Sequence, residues 1–380
     1  MIRRITNAIK SLFPAIHYVR KARMCADQYK SYLQELKYEN KSIDGEDAYL
    51  KLWSQLTARV EPYSYRLFSH YMGKVPHIIP DYIGTEILFY YLNPRRYSDF
   101  YEDKNTYSSY VLLENAFPKT YLKRIGGGKI LHEDSVEGIE IISSPTLCLQ
   151  NLGVEMFILK PTVDSCSGEG VMMFKKQNER YVSSKGILFS DEFLNEYGDD
   201  YVIQEVIEQH PDLAKFNPTS VNTLRICTYR SVNDESITVT GAVIRIGKSG
   251  EVVDNAHYGG RFVGIDLESG NLLHYAGDQY GNKYEAWNGI SFSENHIIPH
   301  WPMVKDFAEK IASYNKHSRL LAFDLTVDRF GIPRVIEINV EGFAHWIFQF
   351  CGQDVFNGEV QSVIDYCNKK LLKDGRKKLV

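Results

Sequence analysis

The sequence predicts an α+β protein, with a mainly helical N-terminal region ahead of a body of short, mostly hairpin-connected strands. Three observations carry this. Residues 31 to about 100 are rich in Tyr and read as helical, broken at Pro76–Pro80. After about residue 150 the character changes, and β-rich runs recur between Gly, Asp and Asn. No G-x-G-x-x-G opens a helix after a strand, and no apolar helical run follows Gly126-Gly127-Gly128, so no dinucleotide-binding βαβ unit is expected.

The elements follow in order. Residues 1–30 carry seven Lys or Arg against one Asp, with Ile5, Ile9, Leu12 and Phe13 at helical spacing between them. Such a basic amphipathic helix either lies on an anionic membrane or partner, or packs on its own domain with a solvated face. Pro14 is expected to cut the pattern short. The strands are expected at 156–160, 171–174, 201–207, 223–229, 237–246, 320–327 and 334–340. A helix is expected where Val304, Phe307, Ala308 and Ile311 share one face, with Pro302 in its first turn. A last helix is expected over about 355–372 with Val360, Val363, Ile364 and Cys367 inward, followed by a basic tail, 373–380.

Composition narrows the function classes. The 380 residues include 44 Lys plus Arg and 48 Asp plus Glu, a net charge of -4, which argues against a nucleic-acid binder with a broad basic surface. Aromatic residues reach 13%, too many for a largely disordered chain. No apolar run is long enough to span a membrane. The start lacks the apolar core and cleavage site of a secretory signal. Six Cys without a CxxC pair favour a reducing cytoplasm over zinc or a disulfide framework. A cytoplasmic location is therefore expected, at the inner membrane face if residues 1–30 meet lipid.

The strongest chemical signal is the stretch from Ala322 to Asn339. Two β-rich runs flank a turn at Arg329–Pro333, and Glu337 and Asn339 alternate with Ile336, Ile338 and Val340. Strand spacing places the two polar side chains on one face, ~7 Å apart. A hairpin brings Asp324 near Glu337. Two carboxylates and an amide then form a hard-cation site, suited to Mg²⁺ that keeps phosphate oxygens and water.

Lys160 ends an apolar strand and precedes a loop of small residues, Ser165, Ser167, Gly168 and Gly170. Small residues let backbone N–H groups approach phosphate oxygens, and the Lys adds a point charge. A plain hairpin turn has the same composition. The run through Gln204, Glu205 and Ile207 reads as a strand edge that offers main-chain groups to a purine, with Asp212 shortly after for ribose hydroxyls. Arg225 and Arg245 sit inside β-rich runs, and Arg is seldom buried without an anionic partner. They suit a phosphate or carboxylate, or a structural ion pair. Asn255, Gly259 and Gly260 belong to a loop of substrate-binding character.

In this order, the Lys-ending strand, small-residue loop, arginine strands and Asp…Glu-x-Asn set resemble the ATP-grasp superfamily over roughly 100–370. The run from His210 through Asn217-Pro218 to Asn222-Thr-Leu-Arg225 resembles its sugar-transfer-associated branch, as does the loop Asp254-Asn255…Gly259-Gly260. The resemblance implies an ATP-grasp domain over 101–372, with a smaller nucleotide-clasping lobe at about 120–207 and a larger metal and substrate lobe at about 208–372. Residues 1–100 depart from the family's usual first domain, and Val340-Glu341-Gly342-Phe343-Ala344-His345-Trp346 departs from its usual small Pro/Gly turn.

The resemblance further implies ATP- and Mg²⁺-dependent ligation of a small-molecule or sugar carboxylate to an amine or other nucleophile, through an acyl phosphate, in bacterial surface-polysaccharide synthesis. Lys104 and Lys160 would then touch the nucleotide phosphates, Arg225 and Arg245 the reacting carboxylate, Asp324, Glu337 and Asn339 the metal, and Asn222, Asn255, Gly259 and Gly260 the substrate. A kinase that keeps the phosphoester, or a nucleotide-binding scaffold for glycosyltransferases, are the alternatives.

Overall fold

The computed structural model describes residues 2–109, 115–134, 138–163, 169–250 and 259–378. Its N-terminal region is helical: α1 (Ile2–Glu35), α2 (Glu46–Trp53), α3 (Tyr63–Met72), α4 (Asp81–Ile83), a π turn at Gly84–Leu88, α5 (Phe89–Leu92) and α6 (Ser98–Glu102). Pro14 does not end α1, contrary to the sequence expectation. The half beyond it is held by tertiary packing, because Tyr18, Ala22, Tyr29 and Leu33 are buried in a shared core. No helix among the described residues is long and apolar enough to cross a membrane.

Two seven-stranded antiparallel sheets follow. The first contains β1 (Thr120–Arg124), β2 (Ile130–Asp134), β3 (Gly138–Ile142), β4 (Met156–Pro161), β5 (Met172–Gln177), β6 (Arg180–Ser183) and β7 (Tyr201–Glu205), in the order β3-β2-β1-β7-β4-β5-β6. Helices α7 (Pro145–Asn151) and α8 (Asp191–Tyr197) pack on it through a core that includes Leu149, Phe157, Phe174, Leu194 and Ile203. The strands β1 to β3 are missing from the sequence expectation, since polar and Gly residues interrupt them and one is exposed over most of its length. The strand at 201–205 is also not an edge. It pairs with β1 on one side and β4 on the other, so main-chain groups leave the ladder only beyond Glu205.

After the short α9 (Pro211–Ala214), the second sheet contains β8 (Thr223–Arg230), β9 (Ile237–Ile246), β10 (Arg261–Ile265), β11 (Leu272–Gly277) and β12 (Lys283–Tyr284). A small hairpin, β13 (Ala286–Trp287) and β14 (Ile290–Ser291), stands apart. Helix α10 (Trp301–Tyr314) then leads to β15 (Leu320–Val327) and β16 (Pro333–Asn339), and the order is β12-β11-β10-β9-β8-β15-β16. Two short helices close the chain, α11 (Trp346–Gln349) and the longer α12 (Val360–Lys373), the latter starting later than the sequence pattern suggests.

Every residue of β15 is buried, because both faces of this sheet are covered. One face carries Leu224, Ile226, Ile244, Phe323 and Leu325 and packs on α10. The other carries Cys227, Tyr229, Val243, Leu320 and Ala322 and packs under the N-terminal helices, α11 and α12. The helical front is thus the second cover of the larger sheet. Its polar staples are direct. Buried Asn93 donates to the carbonyls of Leu320 (2.6 Å) and Val340 (3.0 Å) and accepts from the N–H groups of Arg319 and Leu320.

Candidate active site

The site is built on the β15–β16 hairpin. Asp324 is the register partner of Glu337 on one side and of Arg225 in β8 on the other. Three charged residues therefore form one row across three strands. A bulge between Asp324 and Leu325 in this pairing matches Leu325 to Val335 and leaves Ile336 over. It shifts the phase of β16: Val335 and Ile338 are buried, whereas Ile336 and Glu337 are both partly exposed. Alternation is broken only at Ile336; from Glu337 to Asn339 it holds and keeps those two side chains on one face.

Asp324 is deeply buried and bound twice. Arg225 Nε donates to Oδ1 and Nη2 to Oδ2, both at 2.8 Å, while Arg245 Nη1 donates to Oδ2 at 3.0 Å. Arg245 is the partner of Thr223 in the β8–β9 ladder, two positions along from Arg225 and on the same face. Burial alone would push the Asp324 carboxyl up, but the two guanidiniums bring it down to about 2.

From the smaller sheet comes Lys160, at the end of β4. From the segment after α6 comes Lys104, whose backbone N–H and ammonium both donate to the Thr162 carbonyl (3.2 and 3.4 Å). Lys104 Nζ also donates to Glu337 Oε1 at 2.7 Å, bridging the two lobes. Lys160 stands in the field of both groups. Burial, reinforced by the positive charge of Lys104 and opposed by Glu337, lowers its ammonium to about 7. Two buried lysines and two buried arginines thus converge on the acidic row. Such a concentration of positive charge suits a polyanion.

The other candidates take different places. Glu205 accepts from the Lys119 N–H (3.0 Å) and pairs with Arg334 of β16, tying the two sheets together. Gln204 is buried and donates to Thr120 (3.0 Å). Ile207 lies just beyond the ladder and is buried. Asp212 is exposed in the first turn of α9, 3.5 Å from His210. Asn222 is fully buried; its Nδ2 donates to Gln209 Oε1, Leu213 O and Asn217 O, which staples the loop between the sheets, while its Oδ1 has no hydrogen-bond partner among the described residues. Gly259 and Gly260 offer their carbonyls to Arg261 (3.0 and 2.9 Å), whose guanidinium stacks on Tyr284 and Trp287. Gly170, at positive φ, accepts from the Tyr197 hydroxyl at 2.6 Å. Ser165, Ser167, Gly168 and Asn255 lie outside the described residues.

Three supporting residues escaped the sequence reading. Glu102 accepts the N–H groups of Val340 (2.6 Å) and Glu341 (2.8 Å), which fixes the chain directly after Asn339. The Tyr107 hydroxyl accepts the Ile338 N–H at 2.9 Å, and Asn93 holds the start of β15 to the end of β16. Their only sequence signal is nearness to Lys104.

A metal fits this donor set. The ligand atom of Asn339 would be its amide oxygen, and its buried Nδ2, unpartnered among the described residues, would remain a donor. Glu337 and Asn339 stand on the sheet's edge strand, and Asp324 keeps lone pairs beyond those its arginines use. Two carboxylates and an amide suit a hard cation.

A family model described as sugar-transfer associated ATP-grasp matches residues 88–365. No curated protein sequence matches the chain. Among solved structures, a D-cycloserine synthetase is similar at 11% identity, with 74% of this chain and 73% of that chain covered and a TM-score of 0.40. The ATP-grasp ligase PsnB, complexed with a phosphomimetic variant of its minimal precursor, Mg and ADP, is similar at 11% identity over 73% of this chain and 61% of that one, with a TM-score of 0.38. D-alanyl-alanine synthetase A from Vibrio cholerae is similar at 11% identity over 73% and 66%, with a TM-score of 0.38. The chain spans less than two thirds of the last two.

Proposed function

The chain belongs to the sugar-transfer-associated ATP-grasp family, and from that premise we propose that it is an ATP- and Mg²⁺-dependent ligase joining a carboxylate to an amine. The observation that carries the reading is the convergence of Lys104, Lys160, Arg225 and Arg245 on the row Arg225–Asp324–Glu337. Four cations from two lobes are far more than a structural ion pair needs. Phosphoryl transfer, in contrast, is catalysed chiefly by positioning and charge neutralisation.

In this reading Lys160 and Lys104 hold the nucleotide phosphates, with Lys104 released from Glu337 to do so. Glu337 and Asn339, with Asp324, would hold Mg²⁺, which supplies charge neutralisation between the β- and γ-phosphates. Arg225 and Arg245 orient the substrate carboxylate. A carboxylate oxygen attacks the γ-phosphorus, and the bond to the β,γ-bridging oxygen breaks to release ADP. The amine nitrogen then attacks the acyl carbon, phosphate leaves with the C–O electron pair, and the nitrogen gives up its proton. Residues 101–372 would form the grasp domain, with 1–100 completing it.

In the same reading the carboxylate is sugar-linked and the product serves surface-polysaccharide synthesis; what supports this is the family's description as associated with sugar transfer. On α1, exposed Ile16, Val19 and Met24 beside Arg20 and Arg23 support peripheral contact with an anionic membrane surface. The test is calorimetry of ATP with and without Mg²⁺ on the wild type and on the double variant Glu337→Ala, Asn339→Ala. Mg²⁺-dependent binding that the variant loses is the expected result. ATP that fails to bind the wild type overturns the ligase reading.

A further inference from the structure

We infer that a cavity between α1, α4 and α11 is the amine site of this ligase, built to take a small organic cation; the assignment rests on the ligase reading above. The cavity holds about 150 Å³ and is walled by Tyr29 and Tyr32 of α1, Asp81, Trp346 and Phe350, with amides from Gln28 and Gln279. At ~30 Å³ per water in the liquid, that is room for a small amine of several heavy atoms and too little for a peptide.

Charge comes first. Asp81 is the one carboxylate in this wall, and its side chain is only 20% exposed. Among the described residues no Lys or Arg pairs with it. Lys21 of α1 pairs with Glu86 instead. The two polar groups that meet the Asp81 carboxylate are Cys25, whose thiol donates to Oδ2 at 3.3 Å, and His345, whose Nε2 lies 3.7 Å from Oδ1. Burial is the largest influence on both groups, raising the Cys25 thiol and lowering the His345 imidazole, which disfavours charge on either. A partly buried carboxylate without a cation is costly unless a ligand supplies one.

A second observation points the same way. His345 is 1% exposed, and its Nε2 has no hydrogen-bond partner. A buried imidazole nitrogen is thus unsatisfied 3.7 Å from the one carboxylate of the cavity wall, behind the lining. Around these polar groups stand four aromatic rings, which bind ammonium groups face-on.

Place completes the argument. Trp346 follows Asn339 by seven residues, on the segment that Glu102 anchors. Its ring meets Phe262 edge-on at 5.9 Å, and Phe262 is the cross-strand partner of Arg245, which holds Asp324. The cavity therefore adjoins the sheet face on which the acyl group would form.

The test uses the full chain and ligand-observed NMR, with ethanolamine and putrescine as cations and ethylene glycol and acetate as controls, in the absence of nucleotide. The two amines are expected to bind and the controls not. Asp81→Asn should weaken amine binding at least tenfold, and Trp346→Leu, which spares the carboxylate should Asp81→Asn fail to fold, severalfold. ATP binding, measured separately, should stay within twofold in both variants. Failure of the wild type to bind either amine, or equal binding by the variants, overturns the proposal. A wild type that binds amine but not ATP sinks the ligase reading; one that binds ATP but not amine sinks this site alone.

Discussion

Asp324 and Arg225 face each other across the β8–β15 ladder and share two hydrogen bonds of 2.8 Å, with Arg245 adding a third contact at 3.0 Å. All three side chains are nearly buried. The pair ties β8 to β15, next to the edge strand that carries Glu337 and Asn339.

Arg225→Ala leaves a buried carboxylate with one partner. Removing one member of such a pair costs about 3–5 kcal/mol. Urea unfolding should show a loss of that order, together with loss of ATP-dependent turnover. Arg225→Lys should recover part of the stability, but not the bidentate geometry.

Asp324 also predicts an acid limb. Its carboxyl falls from an ordinary 3.8 to about 2 on folding. A depressed acid contributes stability that is fully present above the unfolded value and is lost as pH falls through the folded one. The stability difference between wild type and Asp324→Asn should therefore be constant above about pH 4 and shrink between pH 4 and 2. A difference that does not change over that window would refute the assignment.

Lys160 gives the same slope in a higher window, but there it reflects a cost of burying the charge. Its ammonium falls from 10.5 to about 7 in the free protein. The unfolded chain then binds more protons between these values, so this residue makes stability rise from about pH 7 towards 10.5, and Lys160→Met should flatten that rise. Bound phosphates favour the charged form. ATP binding near pH 7.5 should therefore take up a fraction of a proton, read as a buffer-dependent binding enthalpy that Lys160→Met abolishes.

Glu102 acts through the chain after Asn339. Glu102→Ala strands the Val340 N–H, at ~1–3 kcal/mol for a buried unsatisfied group, whereas the exposed Glu341 N–H can turn to water. Turnover should fall more than ATP affinity. Glu102→Gln, which keeps an acceptor oxygen, should restore most of it, whereas a purely structural role would move stability alone.

Much of this was legible in the residues. The period of two in β15 and β16 and the turn between them predict a hairpin, and the hairpin predicts that Asp324 meets Glu337, as the register has it. The apolar stripe of α10 and the strands at 237–246 and 320–327 follow from local periodicity as well. Local pattern did not reach the bulge at Ile336, because a one-residue insertion is visible only against the partner strand. It missed β1 to β3, whose polar and Gly content hides them. It placed Gln204 and Glu205 on a sheet edge, when the pairing partners on both sides lie forty or more residues away in chain order.

By itself, the sequence determined the α+β class and the strand hairpin, and it offered the residue types for the proposed cation and phosphate site, because those depend on side-chain period and chemistry within a few residues. Only the tertiary structure decided that Arg225 and Arg245 close on Asp324 across 99 and 79 residues of chain. It also decided that Lys104 bonds Glu337 within the field of Lys160, and that the helical front covers the larger sheet and leaves a cavity beside Asp81. Those pairings follow from which buried charges must find a partner once water is excluded. That depends on which surfaces the fold brings together, and no local stretch of sequence records it.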